Sequence, residues 1–177
     1  FNILPPPPEG AAALDLYAGS GALGIEALSR GCDRAVFVDQ DARAHKTLHT
    51  NLAELGLLAR GTTLLLPVLR ALPRLATDRS GAGGPFAWVF ADPPYAAAAS
   101  GELGELLQLL GAHREALLTP DATLVIEHAA RDTELPVLRA AHGALLRTSV
   151  RRYGDTALSF FTVTPEPQRL DDPSGAS

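Results

Sequence analysis

Two short stretches of this sequence combine residue types that could bind a ligand and do chemistry. Residues 14–24 read LDLYAGSGALG, an apolar run followed by a glycine-rich turn and the start of a helical pattern. Residues 92–95 read DPPY and directly follow the apolar run 88–91. Glycine lets a backbone turn sharply and approach a ligand closely, and a helix N-terminus directs unpaired N–H groups at that space. The first stretch therefore predicts a cofactor site, and the second a reacting centre.

The glycine-rich stretch is compatible with two classes of cofactor. Residues 19–24 spell GxGxxG, and Asp39 lies twenty residues past Gly19, as in dinucleotide-binding proteins. Asp15, however, lies four residues before Gly19, and at the mouth of the loop its carboxylate would repel a pyrophosphate. S-adenosylmethionine instead offers a sulfonium and an ammonium to Asp15, and ribose hydroxyls that can donate to Asp39. The sequence therefore favours S-adenosylmethionine.

The DPPY stretch fits methylation of an amine attached to an aromatic ring. Proline fixes φ, lacks an N–H and keeps the preceding residue extended, so Asp92 and the Pro93 carbonyl can face one small volume. The lone pair of such an amine is conjugated into its ring, and two acceptors that hold its protons align the nitrogen with a sulfonium methyl group. Tyr95 would stack on the base, a contact worth roughly 1–3 kcal/mol. The proton leaves either to Asp92 or to solvent.

Apolar periodicity and turn residues predict the strands and helices that position these stretches. We expect strands at 11–16, 35–38, 62–66, 86–91 and 124–127, and helices at 22–30, 41–55, 68–75 and 101–118. A short helix at 137–142 and a hairpin of strands at 146–152 and 157–163 complete the pattern. This order predicts a doubly wound, seven-stranded sheet that is parallel through five strands and ends in an antiparallel hairpin. Gly19, Asp39 and Asp92 each follow a strand, so they are expected at one sheet edge.

Composition and charge limit the classes of function. The chain has 177 residues, 46% of them hydrophobic, and a net charge of −5, which suits one domain and argues against nucleic-acid binding by bulk charge alone. No apolar run approaches the roughly 20 residues of a membrane span. One cysteine, Cys32, cannot form an internal disulfide, and a cytoplasmic protein is expected. The lack of methionine and the apolar start at 1–4 suggest a truncated or processed chain, and the polar 165–177 a disordered tail.

Three motifs carry a resemblance to a known family. They are LDLYAGSGALGIEALSRG at 14–31, DPPY at 92–95 and YGDTALSFF at 153–161. Together they resemble the bacterial RsmD family over nearly the whole chain, to about residue 164. The resemblance implies an α/β fold, a Rossmann-like class I S-adenosylmethionine-dependent methyltransferase domain over 1–164. It also implies methylation of the exocyclic N2 amine of a guanine in small-subunit ribosomal RNA, either as free RNA or in an assembling small subunit.

Site roles follow from these residues and from the resemblance together. The expected catalytic residues are Asp92, Pro93, Pro94 and Tyr95. The expected contacts to S-adenosyl-L-methionine are Asp15, Tyr17, Ala18, Gly19, Ser20, Gly21, Asp39, Gln40 and Val68. Relatives often place an acidic or polar residue near the adenine in the turn after the third strand, but here this turn, 66–69, reads LPVL. Val68 is therefore included only for a backbone contact with the adenine. We also expect a monomer, with no metal and no membrane partner. The resemblance further implies an upstream basic segment that this chain lacks.

Other readings of the same residues stay open. The DPPY motif is shared with DNA adenine and cytosine amino-methyltransferases, so it specifies the reaction type alone. A dinucleotide-binding oxidoreductase would use 19–24 but leave 92–95 unexplained, and a non-catalytic RNA-processing scaffold could bind the cofactor without turnover. His45 and His49 have helical metal-binding spacing but no third ligand to match. Residues 151–153, RRY, fit an RNA contact or an exposed hairpin face.

Two polar residues at the end of the predicted fifth strand receive a structural interpretation. Glu127 and His128 end that strand near the expected site edge. We interpret them as a strand terminus, with indirect support of the site as the alternative.

Overall fold

A seven-stranded sheet forms the centre of the structure, a computed structural model that describes residues 4–94, 96, 100–134, 136 and 145–163. The strands are β1 (Ala12–Leu16), β2 (Arg34–Asp39), β3 (Gly61–Leu65), β4 (Phe86–Ala91), β5 (Leu118–Ala129), β6 (Leu145–Tyr153) and β7 (Thr156–Val163). Their order across the sheet is β3-β2-β1-β4-β5-β7-β6. The first five in this order pair in parallel, and β7 pairs antiparallel with both β5 and β6. The predicted doubly wound sheet and its C-terminal hairpin are confirmed.

Helices cover both faces of this sheet. They are α1 (Ala22–Ser29), α2 (Ala42–Glu54), α3 (Val68–Thr77), α4 (Glu102–Ala112) and α5 (Arg114–Leu117), with a 3-10 helix at Ala130–Asp132. On one face, Leu72 of α3 and Leu106 of α4 pack against Leu14 of β1. On the other, Leu48 of α2 packs with Phe37 of β2. Because both layers are fully buried, the loops at the strand ends rest on a rigid support.

The structure corrects two predicted elements. The helix expected at 101–118 is broken at His113 into α4 and α5, since φ of −103° and ψ of 18° at His113 leave the helical region. The strand expected at 124–127 instead has 12 residues. β5 is longer because Leu118 already pairs with Phe86 of β4, and β7 pairs along its other side as far as Ala129.

Some expectations fall on parts of the chain that the structure does not describe. The helix at 137–142 and the tail at 165–177 both lie outside the described residues. Within the described ranges, no helix has the length and apolar composition that a membrane span requires.

Candidate active site

The carboxyl ends of four neighbouring parallel strands border one cleft. Leu16 of β1 lies beside Val38 of β2 and Ala91 of β4, and Ala91 lies beside Ile126 of β5. The residues that follow therefore meet at one edge, as the strand pattern predicts. They surround a cleft of about 450 Å³. Its lining residues are Tyr17, Asp39, Gln40, Asp41, Asp92, Pro93, Pro94 and Glu127.

The glycines of the first loop have two different tasks. Gly19 has a φ of 54°, and a Cβ there would meet no atom within 4 Å, so this position turns the chain and leaves open space. Gly21 has a φ of 86°, but a Cβ there would collide with the side chain of Leu48. A Cβ on Gly24 would collide with the ring of Phe37. Gly21 and Gly24 therefore let α1 pack closely onto α2 and β2.

Asp39 joins the loop after β1 to the end of β2. Its Oδ2 accepts the N–H of Gly19 at 2.8 Å, and its Oδ1 accepts the N–H of Asp41 at 2.8 Å. Above it, the N–H of Ala18 donates to the carbonyl of Val38 at 3.0 Å. Each carboxylate oxygen of Asp39 can accept a second hydrogen bond. The carboxylate thus fixes the loop and still has acceptor capacity for a ligand in the cleft.

Asp15 lies beneath the glycine-rich loop and not at its mouth. Its side chain is 1% exposed and accepts the N–H of Gly24 at 2.8 Å, which satisfies one free donor of the first turn of α1. Burial raises the pKa of Asp15 to about 7, against the lowering effect of the Gly24 hydrogen bond, and Asp92 and Asp39 add to the rise. The expected close-range repulsion of a pyrophosphate by Asp15 therefore does not follow from its position.

Tyr17 connects the first loop to α4. It takes a φ of 59°, which is uncommon for a residue with a side chain, and its hydroxyl donates to Oε1 of Glu102 at 2.7 Å. Desolvation and this acidic partner raise the pKa of Tyr17. Ser20 is exposed, and its carbonyl accepts Nδ2 of Asn51 at 2.9 Å. The sequence pattern did not indicate Glu102, because its contact with Tyr17 spans 85 positions.

Six of the expected cofactor contacts do not line this cleft: Asp15, Ala18, Gly19, Ser20, Gly21 and Val68. Val68 begins α3 with its side chain buried in the core cluster of Leu72 and Leu106, and it does not line the cleft. Tyr95 lies outside the residues that the structure describes, so its stacking role stays a prediction.

Asp92 and Glu127 place two carboxyl groups on the same side of the cleft. Asp92 directly follows β4, and its N–H donates to the Leu16 carbonyl at 3.4 Å. The next residue, Pro93, is buried, while Asp92 itself is exposed toward the cleft. Desolvation raises the pKa of Asp92. Desolvation and the charge of Asp92 raise the pKa of Glu127. Glu127 therefore ends the strand, as its sequence position indicates, and also lines the cleft beside Asp92.

His128, in contrast, is committed to holding the sheet together. Its Nδ1 lies 2.9 Å from the Ala129 carbonyl, and its Nε2 lies 2.9 Å from Oγ of Ser159 on β7. A carbonyl can only accept, so Nδ1 donates to Ala129, and Nε2 shares a second hydrogen bond with the Ser159 hydroxyl. This buried side chain anchors the end of β5 to β7, which agrees with its interpretation as a structural residue.

The sheet order, the glycine-rich loop after β1 and the acid after β2 define the class to which this structure belongs. It has the fold of the class I methyltransferases, with the antiparallel β7 inserted between β5 and β6. Among the described residues, no three histidine, cysteine or acidic side chains lie where they could hold a metal ion together.

Comparison with known proteins identifies the family. The family model described as Conserved hypothetical protein 95 matches residues 1–162. The chain is 37% identical over 161 residues to "Putative rRNA methyltransferase YlbH" of Bacillus subtilis, which covers 91% of this chain and 80% of that protein. It is 37% identical over 110 residues to "Ribosomal RNA small subunit methyltransferase D" of Escherichia coli, a match to 62% of this chain and half of that protein.

A solved structure agrees with this assignment. The fold matches a conserved hypothetical protein of Streptococcus pyogenes with a TM-score of 0.75 and 30% identity, over 93% of this chain and 92% of the other. The chain belongs to the family of Conserved hypothetical protein 95, the RsmD family.

Proposed function

We propose that this protein transfers a methyl group from S-adenosylmethionine to the exocyclic N2 amine of a guanine in small-subunit ribosomal RNA. The observation that supports this most strongly is the single cleft in which Asp39 and Asp92 both lie. One end offers acceptors for a nucleoside cofactor and the other offers acceptors for an amine. The names of the Bacillus subtilis and Escherichia coli relatives support ribosomal RNA as the substrate.

The charge of the cleft favours a cationic cofactor over a dinucleotide. Four of its lining residues, Asp39, Asp41, Asp92 and Glu127, carry carboxyl groups, and in the described part of the chain no lysine or arginine lines it. Such a surface repels a pyrophosphate and attracts the sulfonium and ammonium of S-adenosylmethionine. The repulsion of a pyrophosphate thus comes from the four carboxyl groups of the cleft together.

We assign the residues of the site to parts of the cofactor as follows. Asp39 has acceptor capacity for the ribose hydroxyls, and the open space at Gly19 lets the ligand approach the loop of residues 17–21. Gln40 lines the same wall, and the backbone before α3 near Val68 remains the proposed adenine contact. When bound, S-adenosylmethionine supplies an electrophilic methyl group.

Asp92 and the Pro93 carbonyl then act on the target amine. Each accepts one N–H of the amine, which draws the nitrogen lone pair out of conjugation and toward the methyl carbon. A nitrogen–carbon bond forms as the carbon–sulfur bond breaks, with its electron pair going to sulfur. The amine then loses one proton, to the Asp92 carboxylate or to solvent. Pro94 and Tyr95 complete the motif, and Tyr95 is assigned to stacking on the base.

The direct test is Asp92→Ala in a methyl-transfer assay. Because one of two acceptors for the amine is removed, we expect the rate of labelled-methyl transfer to small-subunit ribosomal RNA to fall roughly 10²- to 10³-fold. Affinity for S-adenosylmethionine, measured by calorimetry on the same variant, should fall far less than the rate, because three carboxyl groups of the cleft remain, and this separates a failed reaction from a misfolded site. Mass spectrometry of the digested product should show N2-methylguanosine.

Other products would assign another function. Methylated adenine or cytosine in a DNA substrate, with none in RNA, would replace this proposal with a DNA amino-methyltransferase. Undiminished methylation of ribosomal RNA by the Asp92→Ala variant would remove the catalytic role of the motif.

A further inference from the structure

Glu127 lies at the border between the acidic cleft and a second, apolar cavity. It lines the cleft with Asp92, and it also lines an adjoining cavity of about 100 Å³ whose other walls include Phe90, Val125 and Phe160. The side chain is partly buried. No hydrogen bond or ion pair joins it to another residue in the ranges that the structure describes. Both oxygens of this carboxylate are therefore available to accept hydrogen bonds from a ligand in the cleft.

The strand register places Glu127 beside Asp92. Ala91 and Ile126 are paired on parallel strands, so Asp92 and Glu127 are the next pair at the edge, where adjacent strands are about 4.8 Å apart. Side chains alternate along a strand, so both point to the same face of the sheet as the paired Phe90 and Val125. A ring atom beside an amine held by Asp92 can therefore lie within reach of Glu127.

Bases that carry an exocyclic amine differ at this neighbouring atom. The N2 amine of guanine is flanked by N1–H, a donor, and by N3, an acceptor. The N6 amine of adenine lies beside N1, and the N4 amine of cytosine beside N3, and both of these are acceptors. A carboxylate accepts hydrogen bonds and repels another acceptor. Among the amino-bearing bases, only guanine offers a donor there.

We propose that Glu127 accepts the N1–H of the target guanine while Asp92 holds the N2 amine, so that Glu127 selects guanine at the reacting centre. This rests on the proposed function. In this arrangement the guanine N1–H is the hydrogen-bond donor to the Glu127 carboxylate. The mostly apolar walls of the cavity behind Glu127 lower the local polarity, which strengthens a charge-assisted hydrogen bond at this carboxylate.

The test compares two target bases that carry the same 2-amino group. The methylated guanine is first mapped in small-subunit ribosomal RNA, and fragments are then made with guanine or 2-aminopurine at that position. 2-Aminopurine keeps the amine but has an acceptor at N1. We expect the unmodified protein to prefer guanine in kcat/KM by at least ~10-fold. Equal use of the two fragments would overturn the proposal without any variant.

Glu127→Gln then tests whether this residue is the cause. The amide of Gln can donate to N1 of 2-aminopurine, so the preference for guanine should shrink by about 10-fold or reverse. The ratio is measured within one variant, so a general loss of activity cancels. Asp41→Asn is the matched control, because it removes another carboxylate of the cleft and should leave the ratio unchanged.

The outcomes separate this inference from the function on which it rests. N2-methylation by the unmodified protein, with the same ratio in Glu127→Gln, would overturn the role of Glu127 and leave the proposed function standing. Absence of N2-methylguanosine from the products of the unmodified protein would overturn both.

Discussion

At the scale of single residues, the site depends on how each carboxyl group is held. Asp39 is fixed by the backbone N–H groups of Gly19 and Asp41, Asp15 is buried under the loop, and Asp92 is exposed to the cleft. Three aspartates at the ends of three neighbouring strands therefore have three environments. Their position along the chain predicted the shared edge. It could not predict burial, which depends on how α1 packs over Asp15.

The environment of Asp15 makes stability depend on pH. Because its pKa is raised to about 7 in the folded protein, the unfolded chain releases this proton first as the pH rises from about 4. Folding stability should then decrease until about pH 7. One pKa unit corresponds to about 1.4 kcal/mol. Asp15→Asn keeps an acceptor for the Gly24 N–H and cannot ionise. The free energy of unfolding of this variant, relative to that of the unmodified protein, should therefore be about 2 kcal/mol higher at about pH 8 than at about pH 5.

Urea unfolding of both proteins at the two pH values measures this difference. Asp121→Asn, a change at an exposed position of β5, is the control and should show no such gain. A stability difference between Asp15→Asn and the unmodified protein that is constant with pH would contradict the assigned environment of Asp15.

At the scale of elements, packing between α1 and the sheet sets the shape of the first loop. The glycine-rich pattern predicts ligand-facing glycines, and the open space beside Gly19 agrees with this. The pattern does not indicate that Gly21 faces Leu48 and Gly24 faces Phe37, because these contacts join residues far apart in the chain. Long-range pairing likewise explains why β5 is longer than its apolar core of 124–127. Local patterns reveal where elements occur, whereas their ends and close contacts depend on neighbours.

Gly24→Ala tests the packing role. Helix propensity alone would make alanine more stable by about 1 kcal/mol. The added Cβ would instead collide with the buried ring of Phe37, and overpacking of this kind costs about 1–3 kcal/mol. We therefore expect a net loss in the free energy of unfolding, measured in urea.

A second background isolates the contact. In a Phe37→Leu protein the smaller side chain leaves room, so Gly24→Ala should cost less there, and the double-mutant cycle gives the coupling between the two positions. Additive effects, or a gain in stability from Gly24→Ala alone, would show that Gly24 has no packing role.

At the scale of the whole molecule, the fold brings chemistry from four strands to one acidic cleft. The net charge of −5 and the absence of methionine do not identify a reaction. The DPPY and glycine-rich motifs do indicate one, because each follows a strand whose carboxyl end borders the cleft. The family could be identified from three motifs, and membership is confirmed. Glu127 could not be assigned from sequence, because its importance comes from the register between β4 and β5.

The central claim is that this cleft binds S-adenosylmethionine, with Asp39 as an acceptor for its ribose. Calorimetric titration of the unmodified protein with S-adenosylmethionine, and separately with NAD, tests it most directly. We expect binding of S-adenosylmethionine alone, weakened roughly 10-fold or more in Asp39→Ala, since a charged acceptor of two hydroxyl donors is lost. Binding of NAD without S-adenosylmethionine, or equal affinity for S-adenosylmethionine in Asp39→Ala, would contradict the claim.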